Sequence, residues 1–170
     1  INPGLPTFFH SGKKMAVSTA SPPPVNVYIR IYDLDGTTGV FTNPIELFLP
    51  GGTGLSTMEI SPDDSKLYLV RGGALIQFDL SLTTQAAIQA SETVIANPPG
   101  ATGELRSATD GKVYMASFVQ LNLNVINQPE LAGAACDFQI GAVPLGGNRS
   151  RLGLPLNVRG PRYSGDIELA

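Results

Sequence analysis

Residues 59–80 read as a strand, a charged tight turn, a second strand, a glycine turn and a third strand, and pieces of that stretch recur on both sides of it. Asp64-Ser65-Lys66-Leu67-Tyr68 is echoed by Asp110-Gly111-Lys112-Val113-Tyr114, 46 residues on (64 to 110). Ile31-Tyr32-Asp33-Leu34 is echoed by Gln77-Phe78-Asp79-Leu80, again 46 apart (31 to 77). Ser11-Gly12-Lys13-Lys14-Met15 matches the Asp64 turn less closely at 53 (11 to 64), with the proline run at 22–24 accounting for the excess. A period in the forties with about four strands per unit is the pattern of β-propeller blades. A four-stranded sheet cannot cover both of its own apolar faces, so successive units must pack face to face. The expected fold is therefore all-β: about three four-stranded antiparallel blades in residues 1–156, with units at 8–50, 51–97 and 98–156, and 157–170 as a tail or closing strand. Closed rings take roughly four to eight blades. Three make an incomplete propeller, whose remaining blades are expected from the same protein or from other protein chains.

The turn and strand signals place the elements. Residues 14–20, 25–34 and 40–49 read as strands, the last interrupted near Pro44, and residues 1–12 as a lead-in loop or an edge strand. Three successive prolines (22–24) offer no backbone donor and so mark a loop. In the second unit, residues 56–60, 66–70 and 74–80 read as strands. Residues 84–90 have helix-tolerant composition, and the repeat calls for a fourth strand near 92–96. The third unit has strands at 103–108, 112–117 and 122–127, then a glycine-rich irregular stretch over 128–156.

Composition narrows the function classes. Glycine (19) and proline (14) together make about a fifth of the 170 residues, which favours short strands and tight turns over helices. A net charge of −3 argues against nucleic acid as the main partner, because phosphate binding needs a basic surface. No apolar run approaches the roughly 20 residues that span a bilayer. No signal peptide is visible, and the start Ile-Asn-Pro without methionine reads as a processed product or an excised segment. One cysteine excludes an internal disulfide, and one cysteine plus one histidine cannot furnish the four ligands of a structural zinc site.

The third unit carries the more particular signature. Ala108-Thr109-Asp110-Gly111-Lys112-Val113-Tyr114-Met115-Ala116 is followed by Val125-Ile126-Asn127-Gln128-Pro129-Glu130-Leu131, then Gly133-Ala134-Ala135-Cys136-Asp137-Phe138, and closes with Leu145-Gly146-Gly147-Asn148-Arg149-Ser150-Arg151-Leu152-Gly153-Leu154-Pro155. Over residues 8–156 this succession resembles the propeller region of large secreted Bacteroidetes-type surface proteins, associated with gliding motility or type IX secretion and carrying PKD-type domains. The first unit departs from that pattern with His10-Ser11-Gly12 in place of the Ser-Pro-Asp turn, and the tail departs after Pro155. The resemblance implies an exported, extracellular or cell-surface location and a propeller architecture. It brings no catalytic motif.

Candidate chemistry is sparse. Asp33-Leu34-Asp35-Gly36 alternates carboxylates before a glycine and is the one candidate calcium loop, with Asp33 and Asp35 as ligands. An EF-hand would need glycine and glutamate where Thr38 and Pro44 stand, and a strand end with an Asp-Gly turn is the plainer reading. No other cofactor is indicated. Asp63-Asp64 belongs to the turn between strands, His10 to a loop, and Cys136 to a small buried apolar thiol. Arg149 and Arg151, with Arg159 and Arg162, make the C-terminal part basic enough to grip a carboxylate, a surface glycan or a partner chain, or else to lock the last unit in place. Glu59 and Glu104 stand near the starts of the inner strands at an offset of 45 (59 to 104), where a propeller hydrolase of lactonase type would keep channel-lining metal ligands. The expected function is that of a non-catalytic propeller segment acting in adhesion, surface assembly or protein or glycan binding, with the hydrolase as the alternative.

Overall fold

The structure, a computed structural model, describes residues 6–20, 26–51 and 55–155. Within these residues, twelve strands form three four-stranded antiparallel sheets. Sheet 1 holds β1 (Thr7–Phe8), β2 (Lys14–Ala20), β3 (Val27–Leu34) and β4 (Phe41–Leu49). Sheet 2 holds β5 (Leu55–Ile60), β6 (Lys66–Arg71), β7 (Ala74–Asp79) and β8 (Thr93–Ala96). Sheet 3 holds β9 (Thr102–Ser107), β10 (Val113–Ser117), β11 (Asn122–Ile126) and β12 (Phe138–Pro144). Strands adjacent in sequence are adjacent in every sheet, the arrangement that tight turns enforce. The lead-in stretch thus supplies a two-residue edge strand, and β12 lies in the stretch expected to be irregular: alternation there is masked by Gly141, whose φ of 65° serves a bulge against β11. The tail at 157–170, with Arg159 and Arg162, and the proline loop lie outside the described residues.

The repeat is a repeat of turns. The amides of Gly12, Asp64 and Gly111 each donate to the carbonyl three residues back, on Phe9, Ser61 and Ala108. All three sit in the left-handed region, at φ 70°, 65° and 82°. This superposes Lys14, not Lys13, on Lys66, so the offset of the first turn is 52 (14 to 66) rather than 53. Lys14 pairs across the strands with Asp33 at 2.5 Å, as Lys66 does with Asp79 at 3.0 Å. The third turn is one residue shorter, so Asp110 takes the role of Asp63 rather than Asp64. Its carboxylate accepts the Lys112 amide (3.2 Å) as that of Asp63 accepts the Ser65 amide (3.0 Å).

Two cores follow from strand alternation. On sheet 2, Leu67, Leu69, Ile76 and Phe78 face sheet 1 and pack with Ala16, Ile29, Leu47 and Leu49. The alternate residues Tyr68, Val70 and Leu75 face sheet 3 and pack with Leu105, Val113, Met115 and Ile126. The middle sheet is buried on both faces, each large side chain contributing about 1.5–3 kcal/mol. A helix α1 (Gln85–Ala90), capped by the Thr84 hydroxyl, precedes β8, so this stretch is helix and strand in succession. Its Ile88 enters the first core, while Gln85 and Gln89 accept the free amides of Glu46 and Phe48 on the edge strand β4.

Candidate functional site

The first strands β1, β5 and β9 lie side by side, so side chains from all three sheets meet there. Glu59 on β5 is 7% exposed. Its Oε1 accepts the Ser107 hydroxyl at 2.9 Å, and its Oε2 lies 3.8 Å from Arg106 Nη1. His10, from the turn after β1, brings Nε2 to 3.1 Å from the Ile60 carbonyl and 3.9 Å from Glu59 Oε1. A carbonyl only accepts, so Nε2 carries the hydrogen. Burial pushes the Glu59 carboxyl above its ordinary range, with Ser107 and Arg106 opposing it only in part. Asp64 extends the junction by accepting the backbone amides of His10 (2.5 Å) and Ser11 (2.9 Å).

Glu59 and Glu104 are not equivalent positions. The pairings Ile60–Leu67 and Ser107–Val113 align Glu59 with Arg106, an offset of 47 (59 to 106). Opposite charges thus fill one repeat position in neighbouring sheets and attract across the junction. Glu104 turns elsewhere: it takes Arg106 Nη2 at 3.3 Å and the Leu154 amide at 2.9 Å. Arg106 is the member that sequence reasoning missed. The signal was available as the residue 47 beyond Glu59, hidden because the offset changes by one across the shortened third turn. Chemically the cluster is a buried carboxylate held by a hydroxyl and a guanidinium, with an imidazole 3.9 Å away. Beside it, a groove of about 410 Å³ runs along the outward face of sheet 3, lined by Arg106, Tyr114, Leu123, Leu154 and Pro155 among others.

Asp33 and Asp35 are each occupied by protein donors. The Asp33 carboxylate takes Lys14 Nζ and Asn43 Nδ2, and these bonds hold it below the usual carboxylate range. Asp35 closes an Asx turn with the Thr37 and Thr38 amides and the Thr38 hydroxyl, which lower its pKa. Among the described residues, no group of three or more His, Cys, Asp or Glu side chains gathers where a metal would sit. Cys136 is fully buried in the second core, and desolvation raises its thiol pKa.

Arg149 and Arg151 lie on a strap, residues 149–155, that runs from the last sheet onto β9. Arg149 Nη1 donates to the Val119 carbonyl at 2.8 Å, and Arg151 stacks over the Phe118 ring at 5.8 Å. Ser150 exchanges backbone bonds with Val119 and Gln120, and the Leu152 carbonyl accepts the Glu104 amide at 2.6 Å. That approach requires Gly103, since a Cβ there would lie 2.3 Å from the Leu152 oxygen.

Fold and junction together define an all-β protein built of three four-stranded antiparallel sheets. No family model matches the chain, and no curated protein does. Solved structures do: that of U3-55K matches with a TM-score of 0.48 and 13% identity over 74% of this chain and 34% of that one. Hydrazine synthase from Kuenenia stuttgartiensis matches with a TM-score of 0.43 and 17% identity over 73% of this chain and 32% of that one. The chain therefore spans about a third of the length of each.

Proposed function

We propose that the three sheets are three blades of an incomplete β-propeller and that the chain is a non-catalytic segment of a secreted or cell-surface bacterial protein. It serves adhesion, surface assembly or the binding of protein or glycan. The carrying observation is the asymmetry of burial. Sheet 2 is covered on both faces, whereas the outward face of sheet 1 leaves Phe48 and Phe41 41% and 42% exposed, beside Tyr28 and Tyr32. At the other end, Tyr114 occupies the position of the fully buried Tyr68 but borders the open groove. Further blades of the same protein, or other chains, supply the missing neighbours, as large bare apolar faces are the mark of an interface.

Native mass tests this reading. The purified native protein is expected to run either as a longer polypeptide or as a stable assembly. A folded, monodisperse 17.8 kDa monomer in light scattering would overturn it. The hydrolase alternative draws on the buried Glu59. Divalent metal bound in stoichiometric amount to native protein, and lost on Glu59→Gln, would favour it.

A further inference from the structure

A cavity of about 210 Å³ opens beside the hairpin joining β10 to β11, remote from the Glu59 junction, and Ser117, Val119, Gln120, Asn122, Asn124 and Arg149 line its polar side. Pro99, Leu121 and Ile140 form an apolar wall.

The two strands that flank the hairpin, β9 and β12, are bulged at this point, each carrying extra residues against its hairpin partner. The register of β10 on β9 shifts between Met115 and Ser117, and that of β11 on β12 between Leu123 and Val125. Bulges re-aim side chains and gather beside functional sites. The hairpin itself is strained, because Val119 sits at φ 60°. Sheet 2 meets the same demand at this turn with Gly72 and Gly73, at 58° and 87°. A β-branched residue in the left-handed region is a genuine outlier, and such strain persists where the surroundings over-determine it. Here the strap does so, through the Ser150 carbonyl and Arg149.

The polar wall is hydrogen-bonded in place and only partly spent. Asn124, 3% exposed, donates to the Ser117 hydroxyl at 3.0 Å and accepts the Gly141 amide at 2.9 Å. Asn122 donates to the Gly141 carbonyl at 2.8 Å. Among the described residues, the Ser117 hydroxyl hydrogen, the Asn122 amide oxygen, the Gln120 carboxamide and the rest of the Arg149 guanidinium make no further bond. The volume lies below the roughly 300 Å³ at which drug-sized pockets begin, which suits one sugar ring rather than a chain.

We propose that this cavity binds a single sugar-acid ring of hexuronate type. Arg149 takes the carboxylate. Gln120, Asn122 and Ser117 take ring hydroxyls, and Ile140 packs on the C–H face. The site rests on the binding reading above and names its ligand class.

The test is an amide-resolved NMR titration of the chain with sodium D-glucuronate, with D-glucose and sodium acetate as separate arms. Saturable shifts are expected at residues 117–124 and 149–150, with glucose and acetate each at least about tenfold weaker. Gln120→Glu leaves the protein's own bonds intact and sets a negative charge at the mouth. It should weaken glucuronate about tenfold and the uncharged glucose by clearly less. Arg149→Gln should do at least as much, with Arg149→Lys restoring part of the affinity. No saturable shift at about 50 mM glucuronate, acetate binding as tightly as glucuronate, or an unaltered Gln120→Glu titration would each overturn the site. The native-mass measurement is independent of all of these, so the two readings fail separately.

Discussion

Asp64 holds the left-handed turn position that glycine fills in the other two sheets, and it does so because its carboxylate collects two amides from sheet 1. The strain of a non-glycine residue there is about 1–2 kcal/mol, while hydrogen bonds to a charged group contribute about 1.5–3 kcal/mol each. The bonds win. Asp64→Gly is therefore expected to lower urea-unfolding stability by about 1–3 kcal/mol, and Asp64→Asn by less, since asparagine tolerates the conformation and keeps one acceptor. A glycine variant as stable as the wild type would refute the interlock. Glu59 gives a pH test. The fold raises its pKa, so the native state holds this proton more tightly than the unfolded chain. That contribution is fully present below the unfolded-chain pKa and is lost as pH rises through the folded value. Glu59→Gln keeps the acceptor for Ser107 without the buried charge. Its stability relative to wild type should be greatest at pH 7.5 and shrink at pH 4.5, in urea unfolding at both. Glu59 was legible in the sequence as an acidic residue near the start of an inner strand; its link to His10 and Arg106 was not, since they lie 49 and 47 residues away with no shared motif (10 to 59, 59 to 106).

Elements in this chain are joined by side chains reaching across sheets. Tyr68 donates to the Pro129 carbonyl at 2.9 Å and accepts Gln77 at 2.7 Å, and Gln77 in turn holds the Leu131 carbonyl and the Gly133 amide. This fixes the connection between β11 and β12 on sheet 2. Tyr68→Phe strands a buried carbonyl and a buried amide, and the expected loss is about 1–3 kcal/mol by denaturant unfolding. The strap depends on Gly103 in the same way. Gly103→Ala should free it, and trypsin should then cleave after Arg149 and Arg151 several-fold faster than in wild type while the rest of the chain stays resistant. Equal cleavage rates would mean that the strap does not need the close approach. Strands with a clear period of two were legible in advance, as was the Thr84 region's helical leaning. β12 and the strap were not, because what places them is pairing with β11 and β9 rather than any pattern of their own.

At the scale of the molecule, the two ends of the stack differ from the middle. Phe48 on the outward face of sheet 1 provides the readout. Should a neighbouring blade cover that face in the native protein, Phe48→Asp costs more than about 2 kcal/mol, as buried apolar-to-charged changes do. On a free surface the effect stays within about 0.5 kcal/mol. Thermal or urea unfolding of the native protein separates the two, and the second result would count against the incomplete ring.

Local chemistry settled the all-β class, the number of sheets and most strand positions, because turn residues and alternation act over a few residues and leave their marks in order along the chain. Tertiary structure alone decided the register of the repeat. A turn shortened by one residue moves Asp110 into the role of Asp63 and sets Arg106 opposite Glu59, which only pairing across strands reveals. It also decided what Arg149 and Arg151 hold, since the strap binds through backbone groups and a glycine whose missing side chain leaves room for it.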